Sequence, residues 1–324
     1  MIIDTHIHII VNEITQKITK DPWSPNTGYE NGKPFVEFGG KRLNSALHEF
    51  VDVDKILNKQ TEAGINKTLL SPWSSLFRYD SDVSTTLSVN RIQNDALAKI
   101  ASEYSDQIIA LGMIPLQDVS SAISELKYCM DIGLKGVEIG TNINGKYLGE
   151  EEYRPFWAMV EKLGAFVQIH PVPGLGGQTN KQYYLWNAFS NPAETALTAS
   201  HIILSGLMEE HPKLKIQLFH GGGHLPYQIG RLDRAYEMRP EASKKISRKP
   251  SEYLKMFYFD TITHSSDALN YLINLVGAEQ VMMGSDYPFD MGYERPTELI
   301  DESNLSETEK NKIKYDNAER LFQI

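Results

Sequence analysis

Short apolar runs alternate with longer stretches of helical periodicity eight times along this chain, and few folds accept that pattern. Runs at 1–9, 66–72, 108–116, 134–140, 165–171, 215–222, 257–263 and 280–288 read as strands. Helical stretches fall near 88–104, 118–131, 150–163, 193–211, 224–238 and 266–276, with a last helix near 306–321. Strands parted by helices pair in parallel through right-handed crossovers, so eight of them predict an α/β fold of the closed (β/α)8 TIM-like barrel type. An open doubly wound sheet explains the alternation, but not polar motifs at strand ends along the whole chain. Residues 11–50 interrupt the pattern with DPWSPNTGYENGKPF, dense in Pro, Gly and Asn, and read as a small insertion after strand one near the barrel mouth. The helix VDVDKILNKQTEAG follows, with Val53, Ile56 and Leu57 at helical spacing and Gly64 as its stop. Residues 1–324 are therefore expected to form one barrel domain containing that insertion.

Composition excludes several function classes. The 42 acidic and 32 basic side chains leave a net charge of −10, which argues against general affinity for nucleic acid or an anionic membrane. Cys129 is the only cysteine, so no intrachain disulfide forms and a reducing cytoplasm is expected. No run approaches the roughly 20 apolar residues that span a bilayer, and no basic segment precedes an apolar one at the N-terminus. A soluble intracellular protein is expected.

The motifs sit where the strands end. In MIIDTHIHII, His6 and His8 are one residue apart on a strand and so face the same way, with Asp4 expected on that face too. Two imidazoles converging on one point suit a transition metal. His170 in QIHP closes strand five, His220 in LFHGGGH closes strand six, and Asp286 in MGSDYP closes strand eight. A barrel gathers strand ends at one mouth, its usual active site. His6, His8, His170 and Asp286 then surround one divalent ion. Three imidazoles and a carboxylate suit Zn2+, while Mn2+ and Fe2+ share the same ligand types. His220 is expected just beyond the ion, as a general acid/base.

Other features take blander readings. His48, His201, His211 and His264 lack such context and are expected on the surface or at caps. Asp260, inside strand seven, either orients a ligand or bonds backbone. The glycines of GGGH make room for the metal site; without a Lys-Ser/Thr tail they form no phosphate loop. Trp23, Trp73 and Trp186 fall in loops over the mouth, Trp23 as a cover and the other two as covers or as stacking platforms for an unsaturated substrate.

The HxH start, HP, FHGGG, GRLDRAYE and MGSDYPF segments together resemble the amidohydrolase superfamily, and within it the decarboxylase branch typified by aminocarboxymuconate semialdehyde decarboxylase. MIPLQD, NPAETA through LSGL, HPKLKI and KPSEY extend the likeness over nearly the whole chain. The resemblance implies a zinc site of His6, His8, His170 and Asp286, with His220 as acid/base. It also implies arginines on the substrate carboxylates: Arg42 from the insertion, Arg231 reaching the neighbouring site of a homodimer, and Arg239. From spacing alone, Arg231 shares an exposed helix face with Tyr227 and Arg234, where a solvated arginine is the simpler account. Val172, Pro173, Gly174 and Leu175 after His170, and His224, Leu225, Pro226 and Tyr227 after HGGG, depart from the branch and leave the substrate open. Relatives acting on hydroxybenzoates typically carry Glu at the His6 position and favour manganese; HxH points to the zinc branch.

The expected activity is non-oxidative decarboxylation of a small anionic substrate, an unsaturated or aromatic carboxylic acid. His220 shuttles the proton, while Arg42, Arg231, Arg239 and Trp186 contact substrate. The same site could instead hydrolyse a lactone or amide, a reaction that releases no carbon dioxide. A non-catalytic metal-binding barrel would bind the ion without turnover.

Overall fold

The computed structural model describes residues 1–16, 26–30, 33–38, 41–43, 50–175 and 182–324. All eight expected barrel strands are present: β1 Ile3–Ile9, β2 Lys67–Pro72, β3 Ile108–Ala110, β4 Gly136–Gly140, β5 Phe166–His170, β6 Lys215–Leu218, β7 Phe257–Asp260 and β8 Val281–Met282. They form two parallel arcs, β1-β2-β3 and β4-β5-β6-β7-β8.

Backbone bonds beyond the regular ladders close the ring at two seams. Between β3 and β4, the Gly112 amide donates to the Gly136 carbonyl at 2.9 Å and the Glu138 amide to the Gly112 carbonyl at 2.8 Å. Between β8 and β1, the amides of Thr5, Asp286 and His8 donate to the carbonyls of Met283, His6 and Tyr287 at 2.8, 2.8 and 2.9 Å. The closed barrel thus stands over the open sheet.

Several strands end earlier than their apolar runs. The 280–288 run keeps ladder geometry only over Val281–Met282, because the chain turns at Asp286 with φ 60°. The 215–222 run stops at Leu218, because His220 and the three glycines after it all have positive φ. Non-glycine residues rarely adopt that conformation, and they do so mostly where surrounding structure holds them.

Strand alternation sorts the side chains. Val167, Ile169, Ile216 and Leu218 are fully buried in the main apolar core. Residues of the opposite parity build a polar layer inside the barrel: the Gln168 side-chain amide donates to Gln217 Oε1 at 2.8 Å, and Gln217 Nε2 donates to Thr5 Oγ1 at 3.1 Å. The helices start on side-chain caps: Asp52, Asp82 and Asp118 accept from the amides of Lys55, Thr85 and Ser121 at 3.1, 3.0 and 2.7 Å. Gly64, with φ 78°, follows the helix Val53–Glu62 as expected. Within residues 11–50, Asn26–Glu30, Lys33–Phe38 and Lys41–Leu43 form an antiparallel sheet. Among the described residues, no helix is long and apolar enough to cross a membrane.

Candidate metal centre and substrate cavity

Three histidines reach the mouth with their outer ring nitrogens already committed. His6 Nδ1 lies 2.7 Å from Asp260 Oδ2, His8 Nδ1 lies 3.3 Å from the Pro72 carbonyl, and His170 Nδ1 lies 2.8 Å from the Pro171 carbonyl. Each partner accepts, so each Nδ1 carries the hydrogen and each Nε2 keeps its lone pair. The Nε2 atoms of His6 and His8 face each other at 3.1 Å. Asp286 Oδ1 lies 3.4 and 3.3 Å from those two nitrogens and accepts no hydrogen bond. Donor atoms of His6, His8 and His170 lie within 4.8 Å of one another, as do those of His6, His220 and Asp286.

Lone pairs facing each other beside an unpartnered carboxylate oxygen, all buried, need a cation between them. The donor set therefore fits one divalent metal ion. The charge states of His6 and His170 agree: burial lowers His6 and, helped by the neighbouring imidazoles, brings His170 far below the ordinary imidazole range. Burial raises Asp286, but the surrounding histidines outweigh it and hold the carboxylate well below its usual range. For His8, Glu138 and Asp286 overcome the lowering by burial, and the net shift is upward.

Close packing makes this cluster rigid. The His6 ring stacks on Phe219, centroids 3.4 Å apart and planes 14° apart. Gly284, in the MGSD motif, passes so near His6 that an added Cβ would sit 2.7 Å from the His6 Cβ. The GGGH turn serves packing as well as room, since a Cβ on Gly223 would meet the Pro192 carbonyl at 2.1 Å. Asp4 departs from expectation. A register shift between Asp4 and Ile7 turns it away from the His6 and His8 face, and it accepts from the Ser285 amide at 3.1 Å and hydroxyl at 2.5 Å, bracing the segment that carries Asp286.

His220 stands beside the cluster with Nε2 3.5 Å from Asp286 Oδ2 and Nδ1 without a partner. Burial lowers it, Asp286 raises it further, and the net shift is upward. His220 and Asp286 form the floor of a cavity of about 560 Å³ whose rim carries Asn187, His224, His264 and Tyr271. His264 is exposed, as the sequence reading expects, but it also lines this cavity, from a loop turning at φ 54° just past β7, with its ring 5.1 Å from that of Tyr293. Its position just past a strand's C-terminal end was the available signal. His201 and His211 keep their bland roles, stacked on Tyr147 and paired with Glu161 at 3.1 Å.

The expected substrate contacts scatter. Trp186 is 46% exposed, packs edge-on against Tyr184, and is absent from the cavity wall, although Asn187 beside it is present. Arg239 lies on the surface, paired with Glu241 at 2.5 Å, and does not line the cavity. Arg231 lines a separate groove of about 240 Å³, with His224 bordering both spaces. The Arg42 backbone lies in the strand Lys41–Leu43, but its side chain is outside the described residues, as are Trp23 and His48. Trp73 is buried against Phe50, a core residue and no platform.

Comparison with known proteins agrees with this geometry. The amidohydrolase family matches residues 3–324. A 2-amino-3-carboxymuconate-6-semialdehyde decarboxylase of Dictyostelium discoideum is 32% identical over 98% of this chain and 90% of its own length. A gamma-resorcylate decarboxylase of Rhizobium sp. (strain MTP-10005) is 29% identical over 86% of this chain and 89% of its own. Among solved structures, 5-carboxyvanillate decarboxylase from Sphingomonas paucimobilis superposes with a TM-score of 0.85 at 25% identity, covering 100% of this chain and 99% of that one. A barrel of this topology, an HxH strand facing a strand-eight aspartate, and full-length likeness to such enzymes agree: the chain belongs to the amidohydrolase family, in its decarboxylase branch.

Proposed function

We propose that this protein is a metal-dependent, non-oxidative decarboxylase of an unsaturated or aromatic carboxylic acid, with one Zn2+ held by His6, His8, His170 and Asp286 and with His220 as the acid/base. One observation carries the reading: the Nε2 lone pairs of His6 and His8 converge beside the unpartnered Asp286 oxygen, and Asp286 and the His220 imidazole both line a substrate-sized cavity. Similarity to decarboxylases of aminocarboxymuconate semialdehyde and of resorcylate supports the substrate class. When bound, a divalent cation supplies a Lewis acid that stabilises negative charge developing on the substrate.

The protein's own groups do the rest. His220 delivers a proton from Nε2 to the carbon bearing the carboxylate. The electrons of the breaking carbon–carbon bond then return to the ring or diene as carbon dioxide leaves, so one proton replaces one carbon dioxide. Asp286, 3.5 Å from His220, favours the protonated imidazole that this delivery requires. Arg42 and the Arg231 of a second copy of the chain anchor substrate carboxylates, which makes the active unit a homodimer. Arg231 is exposed and unpaired among the described residues, as that role requires. Cys129, free and buried, suits a cytoplasmic enzyme.

The test is carbon dioxide release from a panel of muconate semialdehydes and hydroxybenzoates, run in D2O with protein whose metal content has been measured. One deuterium at the vacated carbon per carbon dioxide is the expected result. Hydrolysis of a lactone or amide without carbon dioxide would overturn the reading. For the dimer, mixing inactive Arg231→Ala and inactive His6→Ala proteins should restore part of the activity; no rescue would remove Arg231 from the site.

A further inference from the structure

Asp260 is completely buried at the end of β7, and the metal site as described uses it only as the acceptor for His6 Nδ1, while the proton transfer gives it no part. Its four acceptor positions are all taken. Oδ2 accepts from His6 Nδ1 at 2.7 Å and from the His220 backbone amide at 2.8 Å. Oδ1 accepts from the amides of Gly221 at 2.7 Å and Ile262 at 3.0 Å. One carboxylate thus holds the ring of a β1 histidine and the backbone of the β6 turn, two elements that no ladder joins. His220 and Gly221 both have left-handed φ, 55° and 60°, so their turn needs such an external hold.

Resting on the reading of His6 as a metal ligand and His220 as the acid/base, we propose that Asp260 is the positioning residue that joins the two. It fixes His6 as the Nδ1–H tautomer, with Nε2 free for the ion, and through the same oxygen it sets where the His220 imidazole stands. Carboxylate partners behind metal-bound histidines orient the ring and raise its basicity. Here the same carboxylate also sets the distance between the ion and the proton donor.

Asp260→Asn keeps the size and reverses the chemistry. Its amide oxygen can still accept from Gly221 and Ile262, but its NH2 group then faces His6 Nδ1 as a donor and forces the Nε2–H tautomer, which cannot bind metal. Two readouts are independent of turnover: 15N spectra of histidine-labelled metal-free protein, and Zn2+ affinity by competition with a chromogenic chelator. The expected result is an inverted His6 tautomer and zinc affinity lowered roughly ten- to hundredfold. Asp260→Glu, which keeps an ionised acceptor, should keep the wild-type tautomer and bind zinc more tightly than the Asn variant. An unchanged tautomer, unchanged affinity, or indistinguishable Glu and Asn variants would each overturn the proposal. Wild-type protein that binds no zinc would instead sink the metal-site reading, while the tautomer would still report the hold of Asp260 on His6.

Discussion

The floor and the rim of the mouth are built on opposite terms. On the floor, the Nδ1 atoms of His6, His8 and His170 each have a fixed acceptor, and His6, His8 and Asp260 are completely buried. On the rim, Tyr227 is 81% and Tyr271 45% exposed, and His224 and His264 make ring contacts but no charged pair among the described residues. Buried polar groups are costly unless every partner is in place, so the floor tolerates little change. The rim has no such constraint and can vary with the substrate. The contrast predicts that reaction type resides in the floor and selectivity in the rim.

That division can be broken by experiment. Removing the ion with a chelator should abolish turnover, a loss of roughly 10³-fold or more for the several kcal/mol a Lewis acid supplies, and Zn2+ or Mn2+ should restore it. The better restorer identifies the working metal. His220→Asn should lower kcat by roughly 10²- to 10⁴-fold with metal content unchanged by elemental analysis. If metal is lost as well, His220 belongs among the ligands. Gly284→Ala, which forces a Cβ to within 2.7 Å of the His6 Cβ, should cost about 1–3 kcal/mol in denaturant unfolding and weaken metal retention. His264→Asn should have the smallest effect, shifting KM and substrate preference by about tenfold while kcat on the best substrate stays near wild type. A His264 variant as inactive as the His220 variant would erase the distinction between floor and rim.

Much of the floor was legible because strand geometry is simple. Period-two alternation put His6 and His8 on one face, and barrel closure required strands one and eight to meet. Asp4 obeyed the same alternation on paper, yet a bulge after it moved it to Ser285, and bulges depend on how neighbouring strands fit. Asp260 offered two readings and satisfies both, since one oxygen can accept from a histidine ring and a backbone amide together. His264 escaped notice because its loop conformation, rather than any motif, brings it over the cavity.

The order of residues by itself determined the eightfold α/β pattern and the five side chains at strand ends, because periodicity and strand-end motifs are local properties of the chain. Only the tertiary structure decided which oxygen each imidazole leans on, which arginines miss the cavity and which histidine joins its rim. Those outcomes depend on distances of a few ångströms between segments up to 281 residues apart, and no local preference encodes them.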